Sequence, residues 1–324
     1  MSDIILLSIP LVILCQSVSS QQLPLFSQYT FDAFLLNPAA AGSEGYTVVN
    51  LTTRAQWVGV DGAPETGNFT YQTRIMKRDY IISNAPVKKR YEYPQNSGRV
   101  GLGFGIYYDR AGLIDQTCAF FTYAYHIARS SDQFSLGVTF SLLQYKIDAS
   151  QIPPSELQSN TFSNGKFVIY NPDASVGAYY TNQNLFCGLS VLQLSQGVVH
   201  FQNYDNQSFI LYRTSYFTGG YKFELDNVTV LEPSVFLKAT ELWAFQLDAT
   251  LKLIYDNRFW IGLAYRTSST FIASFGVKVD KLYIGYAFDY SLTGLLYDSY
   301  GSHELMVAMK FGDNTRRYRW MERY

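Results

Sequence analysis

Apolar residues recur at every second position along most of this 324-residue chain, and this period constrains the fold more than any other feature. Between Phe245 and Leu253 every second residue is apolar, and the residues between them are polar. Val100–Asp109 alternates in the same way, with glycines on its second face. Successive side chains of a β-strand point to opposite faces, so a period of two indicates strands with one apolar face. Beyond the first twenty residues, no helical period of useful length occurs.

About fourteen such runs follow one another, which predicts an all-β chain with up-and-down antiparallel strands. The number is even, and many runs reach the roughly 9–11 residues that a tilted strand needs to cross a bilayer. These properties predict a transmembrane β-barrel of about 14 strands over residues 46–311. The predicted runs lie near 46–56, 66–75, 98–109, 115–129, 132–148, 173–182, 184–193, 209–222, 228–240, 244–255, 258–267, 270–279, 281–291 and 302–311.

The composition excludes several other classes of protein. Charged residues make up 16% of the chain, against roughly 25% in an average soluble domain, while aromatic residues reach 17%. A disordered chain would have few aromatic residues. A formal net charge of -1 lacks the basic excess of nucleic-acid-binding proteins, so nucleic acid is not expected as a partner. The longest apolar run, Ile4–Leu14, is shorter than the roughly 18 residues of a membrane-spanning helix.

The joints between the runs differ in length in a regular way. Short joints such as Asp256–Asn257 and Asp280 follow even-numbered runs, and long joints such as 149–172 and 194–208 follow odd-numbered ones. Outer-membrane barrels have short periplasmic turns and longer external loops, so the pattern favours a barrel in the outer membrane. The joint 76–97 is long and basic where a short turn is expected; it is either a partner surface or a solvated insertion.

The second face of the runs suits a crowded lumen. It carries Gly, Ala, Ser, Thr and Gln with few charges, whereas a secreted β-sandwich would carry many Lys and Glu there. A closed barrel also leaves no unpaired strand edge in lipid. Charges of both signs are expected inside, at Asp109, Glu232, Lys238, Asp248, Lys252, Arg266, Lys278, Asp289, Glu304 and Lys310. Aromatic residues expected to form girdles at the membrane interfaces are Tyr107, Tyr108, Tyr255, Phe259, Trp260, Tyr290, Tyr297 and Phe311.

No pattern in the sequence points to catalysis. The three histidines, His126, His200 and His303, lie far apart, and no spacing typical of a metal site, a nucleophilic serine or a phosphate loop occurs. Cys118 and Cys187 lie in strand-like runs and are expected to be small buried residues. We therefore expect no enzyme activity, no cofactor and no metal.

The two ends of the chain differ from its body. Residues 1–20 are predicted to be a signal peptide, although their start contains no Lys or Arg; an uncleaved anchor, a misassigned start or lipidation at Cys15 are alternatives. Residues 21–45, called the leader, are too apolar for a free tail and are expected to pack in the lumen, at the periplasmic base of the barrel or against a partner. Residues 312–324 form a basic, aromatic tail expected to meet an acidic partner or lipid headgroups in the periplasm.

Two segments near the start resemble a known family. They are FSQYTFDAFLLNPAAAGS at 26–43 and RAQWVGVDGAPET at 54–66, and both closely resemble the opening motifs of the PorP/SprF family. That family comprises outer-membrane proteins of the Bacteroidetes type IX secretion system and gliding machinery. GSHELMVAMKF at 301–311 resembles the last strand of that family. The residues that carry the family pattern, either to shape the backbone or to contact a partner, are Gln28, Asn37, Pro38, Ala39, Gly42, Arg54, Gln56, Trp57, Asp61, Gly62, Ala63 and Pro64.

The resemblance implies a barrel that supports the secretion and surface attachment of cargo such as adhesins. It implies three kinds of partner: that cargo, periplasmic components of the secretion machinery, and outer-membrane lipid. The residues themselves leave open a passive channel for small solutes, or a purely structural scaffold. Mixed lumen charges and an apolar leader favour an occluded bore.

Overall fold

A computed structural model describes residues 26–75, 99–129, 132–148, 166–200, 208–242, 244–292 and 299–311. The predicted signal peptide, the basic joint 76–97 and the tail 312–324 lie outside the described residues. The helices of the described part are a four-residue α-helix, α1 (Ala33–Leu36), and a single 3-10 turn, Pro38–Ala40. Within these ranges no helix is long and apolar enough to cross a membrane.

Fourteen strands close into one antiparallel barrel, as the alternation predicts. The barrel strands are β1 (Thr47–Ala55), β2 (Glu65–Ile75), β3 (Val100–Ala111), β4 (Ile114–Arg129), β5 (Asp132–Asp148), β6 (Lys166–Thr181), β7 (Leu185–Leu192), β10 (Thr214–Tyr221), β12 (Thr229–Thr240), β13 (Phe245–Tyr255), β14 (Phe259–Arg266), β15 (Thr270–Val279), β16 (Leu282–Ser291) and β17 (Ser302–Phe311). β1 pairs with β2 on one side and with β17 on the other, and this seam closes the ring.

Three short strands lie beside the ring. β8 (Val198–His200) and β9 (Ser208–Ile210) form a separate hairpin in the β7–β10 joint, and β11 (Phe223–Glu224) extends the pairing of β12. β6 is longer than predicted, because it pairs with β5 from Lys166 onward rather than from 173. Pro172 hides this extension in the sequence: proline cannot donate to a ladder, so its presence counts against a strand.

The two faces of the barrel differ sharply in burial. In β1, Val48, Asn50, Thr52 and Arg54 point into the lumen and are buried, while Leu51 is exposed. Large apolar side chains cover the outer face, as in Leu263, which is 69% exposed. A continuous belt of this kind needs an apolar surround, and a closed sheet is the β architecture that lipid tolerates.

The lumen charges follow the prediction, but the aromatic girdle was partly mispredicted. Nine of the ten predicted lumen charges are buried, and Lys278 is half-buried. Tyr107 and Trp260 are buried inside the barrel, so assigning them to a girdle was wrong. Their place in the alternation puts them on the lumen face, which decides their environment more than closeness to a strand end. Tyr255, Phe259, Tyr290 and Phe311 are exposed on the outer face, Tyr108 is half-buried, and Tyr297 lies outside the described residues.

The two ends of the barrel differ in the lengths of their joints. The loop-rich end carries the long joints 56–64, 149–165, 193–213 and 292–301. The short-turn end carries 130–131, 182–184, 222–228, 256–258 and 280–281, together with the long joint between β2 and β3. β1 begins and β17 ends at the short-turn end.

Candidate functional site

Residues 26–45 of the leader run through the inside of the barrel. Ser27 contacts the loop-rich ends of β16 and β17, and Tyr46 lies at the short-turn end, where β1 begins. Each of the four buried apolar clusters among the described residues includes leader side chains. The leader residues in these clusters are Tyr29, Phe31, Phe34, Leu36, Ala39, Ala40 and Ala41. The leader is therefore the core of the barrel.

Aromatic contacts fix the first half of the leader. The ring of Phe31 lies 4.7 Å from that of Trp260, and the ring of Tyr29 lies 5.1 Å from that of Phe236. The Lys252 ammonium lies 4.6 Å from the centre of the Phe31 ring. Buried aromatic pairs add roughly 0.5–1.5 kcal/mol each beyond their area. These contacts join the leader to β12, β13 and β14.

An ion-pair network lines one side of the lumen, here called the charged wall: β12, β13, β14, β16, β17 and β1. Arg54 lies between two carboxylates, with Nη2 at 2.7 Å from Asp289 Oδ2 and Nη1 at 3.6 Å from Glu304 Oε2. Arg266 joins Asp248 at 2.8 Å and Asp289 at 3.6 Å. All five side chains are buried, so each charge depends on its partners.

The start of the leader binds this network through its main chain. Glu304 accepts from the backbone N–H of Ser27 at 2.6 Å and of Gln28 at 2.9 Å. The Ser27 hydroxyl donates to Asp289 at 2.7 Å and accepts from Arg54 at 2.9 Å. Hydrogen bonds to ionised groups are the stronger kind. The charged wall thus holds the leader across the seam between the first and last strands.

The opposite side of the lumen, here called the glycine wall, is formed by β3–β7 and holds the leader with uncharged contacts. Asn37 Nδ2 donates to the carbonyl oxygens of Ala178 at 3.0 Å and Leu189 at 3.2 Å. Asn37 Oδ1 accepts from Ala39 N–H at 2.9 Å, which caps the 3-10 turn. One side chain therefore joins β6 and β7 to the leader.

Close backbone approach explains two of the glycines. A Cβ atom at Gly137 would lie 2.3 Å from the carbonyl carbon of Pro38, so the wall has no room for a side chain there. Gly42 has φ +68°, a conformation that favours glycine, and a Cβ there would lie 2.8 Å from Thr73 O. The Gly42 N–H donates to Gln72 Oε1 at 2.9 Å.

Asp32 lies in the middle of the leader, beneath β2. Its Oδ2 accepts from Thr70 Oγ1 at 2.7 Å and from Asn68 Nδ2 at 3.4 Å. Burial raises the pKa of this carboxyl to about 6, and the hydrogen bond from Thr70 opposes that rise. We therefore expect the contact of the leader with β2 to depend on pH.

The second family motif builds the β1–β2 joint at the loop-rich end. Gln56 N–H donates to Pro64 O at 2.9 Å and closes the joint. Trp57 is half-buried and has φ +46°, and its backbone N–H donates to Ser302 Oγ at 3.1 Å. These contacts tie the joint to the start of β17.

The tip of this joint rests on the neighbouring β3–β4 turn. Gly112 N–H donates to Gly62 O at 3.0 Å, and Ala63 N–H donates to Val60 O at 3.2 Å. Asp61 and Gly62 are exposed. The tip is therefore held in place by main-chain contacts and presents its side chains outward.

The twelve family-pattern positions fall into three places. Gln28 and Arg54 meet at Glu304 on the charged wall, and Asn37, Pro38, Ala39 and Gly42 lie along the glycine wall or its edge. The six positions from Gln56 to Pro64 lie at the loop-rich end. Ser27 and Asp32 were not predicted as site residues, because the alternation gives no signal for them. Asp289 and Glu304 were predicted to lie inside the barrel, but their contact with the leader was not predicted.

The chemistry of this site is ion pairing and hydrogen bonding between the leader and the wall. The described residues contain no group of three or more His, Cys, Asp or Glu side chains placed to hold a metal ion. His126, on β4, binds Ala41 O through Nε2 at 2.9 Å and the Ser135 hydroxyl through Nδ1 at 2.7 Å. It therefore anchors the leader.

Comparison with protein families identifies the chain. The model of the family described as "Type IX secretion system membrane protein PorP/SprF" matches residues 18–309, nearly the whole sequence. The chain belongs to the PorP/SprF family. As a closed barrel with an apolar outer face in a membrane-protein family of this secretion system, it is a protein of the outer membrane. A comparison with curated proteins finds no match.

Solved barrels resemble this PorP/SprF protein only distantly. Omp33 of Acinetobacter baumannii is 9% identical, with 83% of this chain and 98% of that chain covered at a TM-score of 0.43. The translocator domain of the autotransporter NalP from Neisseria meningitidis is 9% identical, with 88% of this chain and 97% of that chain covered at a TM-score of 0.44. A FadL homologue of Pseudomonas aeruginosa is 9% identical, with 85% of this chain and 91% of that chain covered at a TM-score of 0.44. We draw nothing about function from likenesses this distant.

Proposed function

We propose that this barrel supports type IX secretion and gliding by holding exported cargo, such as an adhesin, at its loop-rich end outside the cell. The observation that carries the proposal is a lumen occupied by the chain's own leader, in a member of a type IX secretion family. A bore filled in this way suits binding better than conduction.

The proposed orientation follows from the joints. Long loops of outer-membrane barrels lie outside and short turns lie in the periplasm. The loop-rich end would then meet cargo. The short-turn end, with the basic joint 76–97 and the tail 312–324, would meet an acidic surface of the periplasmic machinery or lipid headgroups. Residues 1–20 are proposed to be the export signal.

The family-pattern residues are proposed to act mainly by building the structure. Asn37 and Pro38 fold the leader against the glycine wall, and Arg54 holds its start on the charged wall. The tip at Asp61 and Gly62 is exposed and is the part of the pattern best placed for a direct partner contact.

Trimming the long loops tests this proposal. Shortening 149–165 or 201–207 leaves every barrel strand intact, and we expect it to abolish co-purification of the surface adhesin from native outer membranes. Shortening the turn 222–228 at the other end by two residues is the matched control and should leave adhesin capture unchanged. Capture that survives both loop deletions would favour a structural scaffold instead.

The passive channel stays the weaker alternative, because the leader contacts strands on opposite walls of the bore. A purified full-length protein that passes small sugars in liposome-swelling assays would support it.

A further inference from the structure

A small cavity lies between the leader and the glycine wall, on the loop-rich side of α1. Its floor includes Phe34 and Pro38 of the leader, and its wall includes Phe120. Leu192 and Gln193, at the loop-rich end of β7, lie at its rim. The cavity has a volume of about 60 Å³ and is not sealed. No contact described above makes use of it.

The lining is mostly uncharged. Besides apolar side chains it contains the Cys118 thiol, the Gln193 amide and the hydroxyl groups of Tyr107, Thr139, Ser141 and Ser175. Asp173 is the one charged residue of the lining, and its Oδ1 accepts from Ser195 N at 3.0 Å and Ser195 Oγ at 2.8 Å. An anionic group placed here would be desolvated beside the Asp173 carboxylate, which is costly, and a volume of about 60 Å³ is too small for a Lys or Arg side chain. The occupant is therefore uncharged and apolar.

The volume limits the size of the occupant. A single water needs about 10–15 Å³ measured in this way, and an engineered cavity of about 150 Å³ binds benzene. A cavity of about 60 Å³ therefore holds a group of about two to three carbon atoms, up to the size of a Val side chain.

We propose that this cavity receives one aliphatic side chain from an extended segment of an exported protein. The proposal rests on the proposed function, because the cavity lies on the side of the leader that faces the loop-rich end. The Gln193 amide at the rim and the hydroxyls of Ser141 and Ser175 supply hydrogen bonds to the main chain of the incoming segment. The cavity then selects an aliphatic, uncharged anchor residue in the cargo.

Photo-crosslinking in intact cells tests this inference. A photoreactive phenylalanine analogue replaces Gln193 at the rim in one strain and Val58, on the exposed β1–β2 joint, in another. We expect both positions to crosslink cargo. Mass spectrometry of the Gln193 adduct should place the attachment beside an aliphatic residue of the cargo.

Filling the cavity provides the decisive comparison. Ser175→Leu, or Ser141→Leu as a second variant, should lower the Gln193 crosslink about tenfold or more, because burial of one aliphatic side chain is lost. The Val58 crosslink should persist while other contacts hold the cargo. Ser215→Leu makes the same chemical change on the exposed outer face and should change neither crosslink. Heat-modified mobility on unboiled gels confirms that each variant forms a barrel.

The outcomes separate the cavity from the wider function. Cargo that crosslinks at Val58 but not at Gln193, or at Gln193 regardless of filling, overturns the cavity proposal and leaves the proposed function in place. A free apolar small molecule found by native mass spectrometry in place of a cargo side chain also overturns it. Absence of cargo at both positions contradicts the proposed function itself.

Discussion

The two walls of the lumen hold the same leader by different physical means. The charged wall binds Ser27 and Gln28 through carboxylates that are themselves paired with Arg54. The glycine wall binds Asn37 and Pro38 through carbonyl oxygens and through the absence of side chains. The first wall is sensitive to the loss of a group, and the second is sensitive to the addition of one.

This contrast explains how one short segment can fill a bore without a helix or strand of useful length. The carboxylates of the charged wall are paired with Arg54 and Arg266, and the leader presents main-chain N–H groups to one of them, Glu304. On the glycine wall the leader backbone comes close enough to replace a layer of side chains, as at Gly137. Removing a charge and adding a methyl group should therefore both release the leader.

The largest effect is expected from Arg54→Met, which removes the cation between the Asp289 and Glu304 carboxylates and leaves Asp289 with Arg266 alone, at 3.6 Å. Breaking a buried pair in this way costs about 3–5 kcal/mol. The midpoint of thermal unfolding in detergent micelles, followed by the circular dichroism of the β-sheet, should fall accordingly. As a control, Arg110→Met removes an exposed pair with Asp115, at 2.8 Å, and should lower the unfolding midpoint far less, because solvent screens an exposed pair. Equal losses would mean that the charged wall is no stronger than a surface pair.

On the glycine wall, Gly137→Val should cost about 3 kcal/mol, because the new side chain meets the backbone of Pro38. The matched change Gly67→Val lies on the outer face of β2, where the nearest atom is Thr52 O at 3.9 Å, and should be nearly neutral. Urea titration of both variants, folded into the same lipid vesicles, measures the difference. A neutral Gly137→Val would show that the leader does not lie against β5.

The pH dependence of leader docking should trace to Asp32. Burial raises its folded pKa from 3.8 to about 6, so the stabilisation is fully present below about pH 4 and is lost as the pH rises through about 6. The effect is at most about 3 kcal/mol, since one pKa unit corresponds to about 1.4 kcal/mol. Asp32→Asn should remove this part of the stability–pH profile measured between pH 4 and pH 8. Profiles of the same slope for both proteins would contradict the assignment.

The smallest effect is expected from Asn37→Ala, which removes the two hydrogen bonds to the carbonyls of Ala178 and Leu189 and should cost about 1–2 kcal/mol. Asn184→Ala removes a comparable bond, to Lys222 O at 3.1 Å, from a turn outside the lumen and should cost less. Differential scanning calorimetry of the two variants compares the bonds directly. A greater loss of stability for Asn184→Ala would mean that the turns contribute more to stability than the contact of Asn37 with the glycine wall.

Much of the barrel could be predicted from the sequence because a period of two encodes it residue by residue. Asp289 and Glu304 occupy alternating positions that face the lumen, so the sequence predicted both carboxylates to lie inside. Tyr107 and Trp260 also occupy lumen-facing positions, which is why they are not girdle residues. The start of β6 could not be predicted, because the pairing with β5 outweighs the local signal of Pro172.

The candidate site was less predictable, because its contacts join residues far apart in the chain. The spacing of Ser27 and Glu304 carries no hint that they meet, and a small residue such as Gly137 does not reveal that it receives a backbone. The apolar composition of the leader predicted that it packs against something. Which wall it meets at each residue is set by the closed ring.

The central claim, that the leader occupies the bore, is tested most directly by planar-bilayer conductance of the full-length protein and of a variant lacking residues 26–43. We predict little steady current from the full-length protein, and large, stable openings once the leader is removed. Steady large currents from the full-length protein, or the same current from both, would contradict the claim.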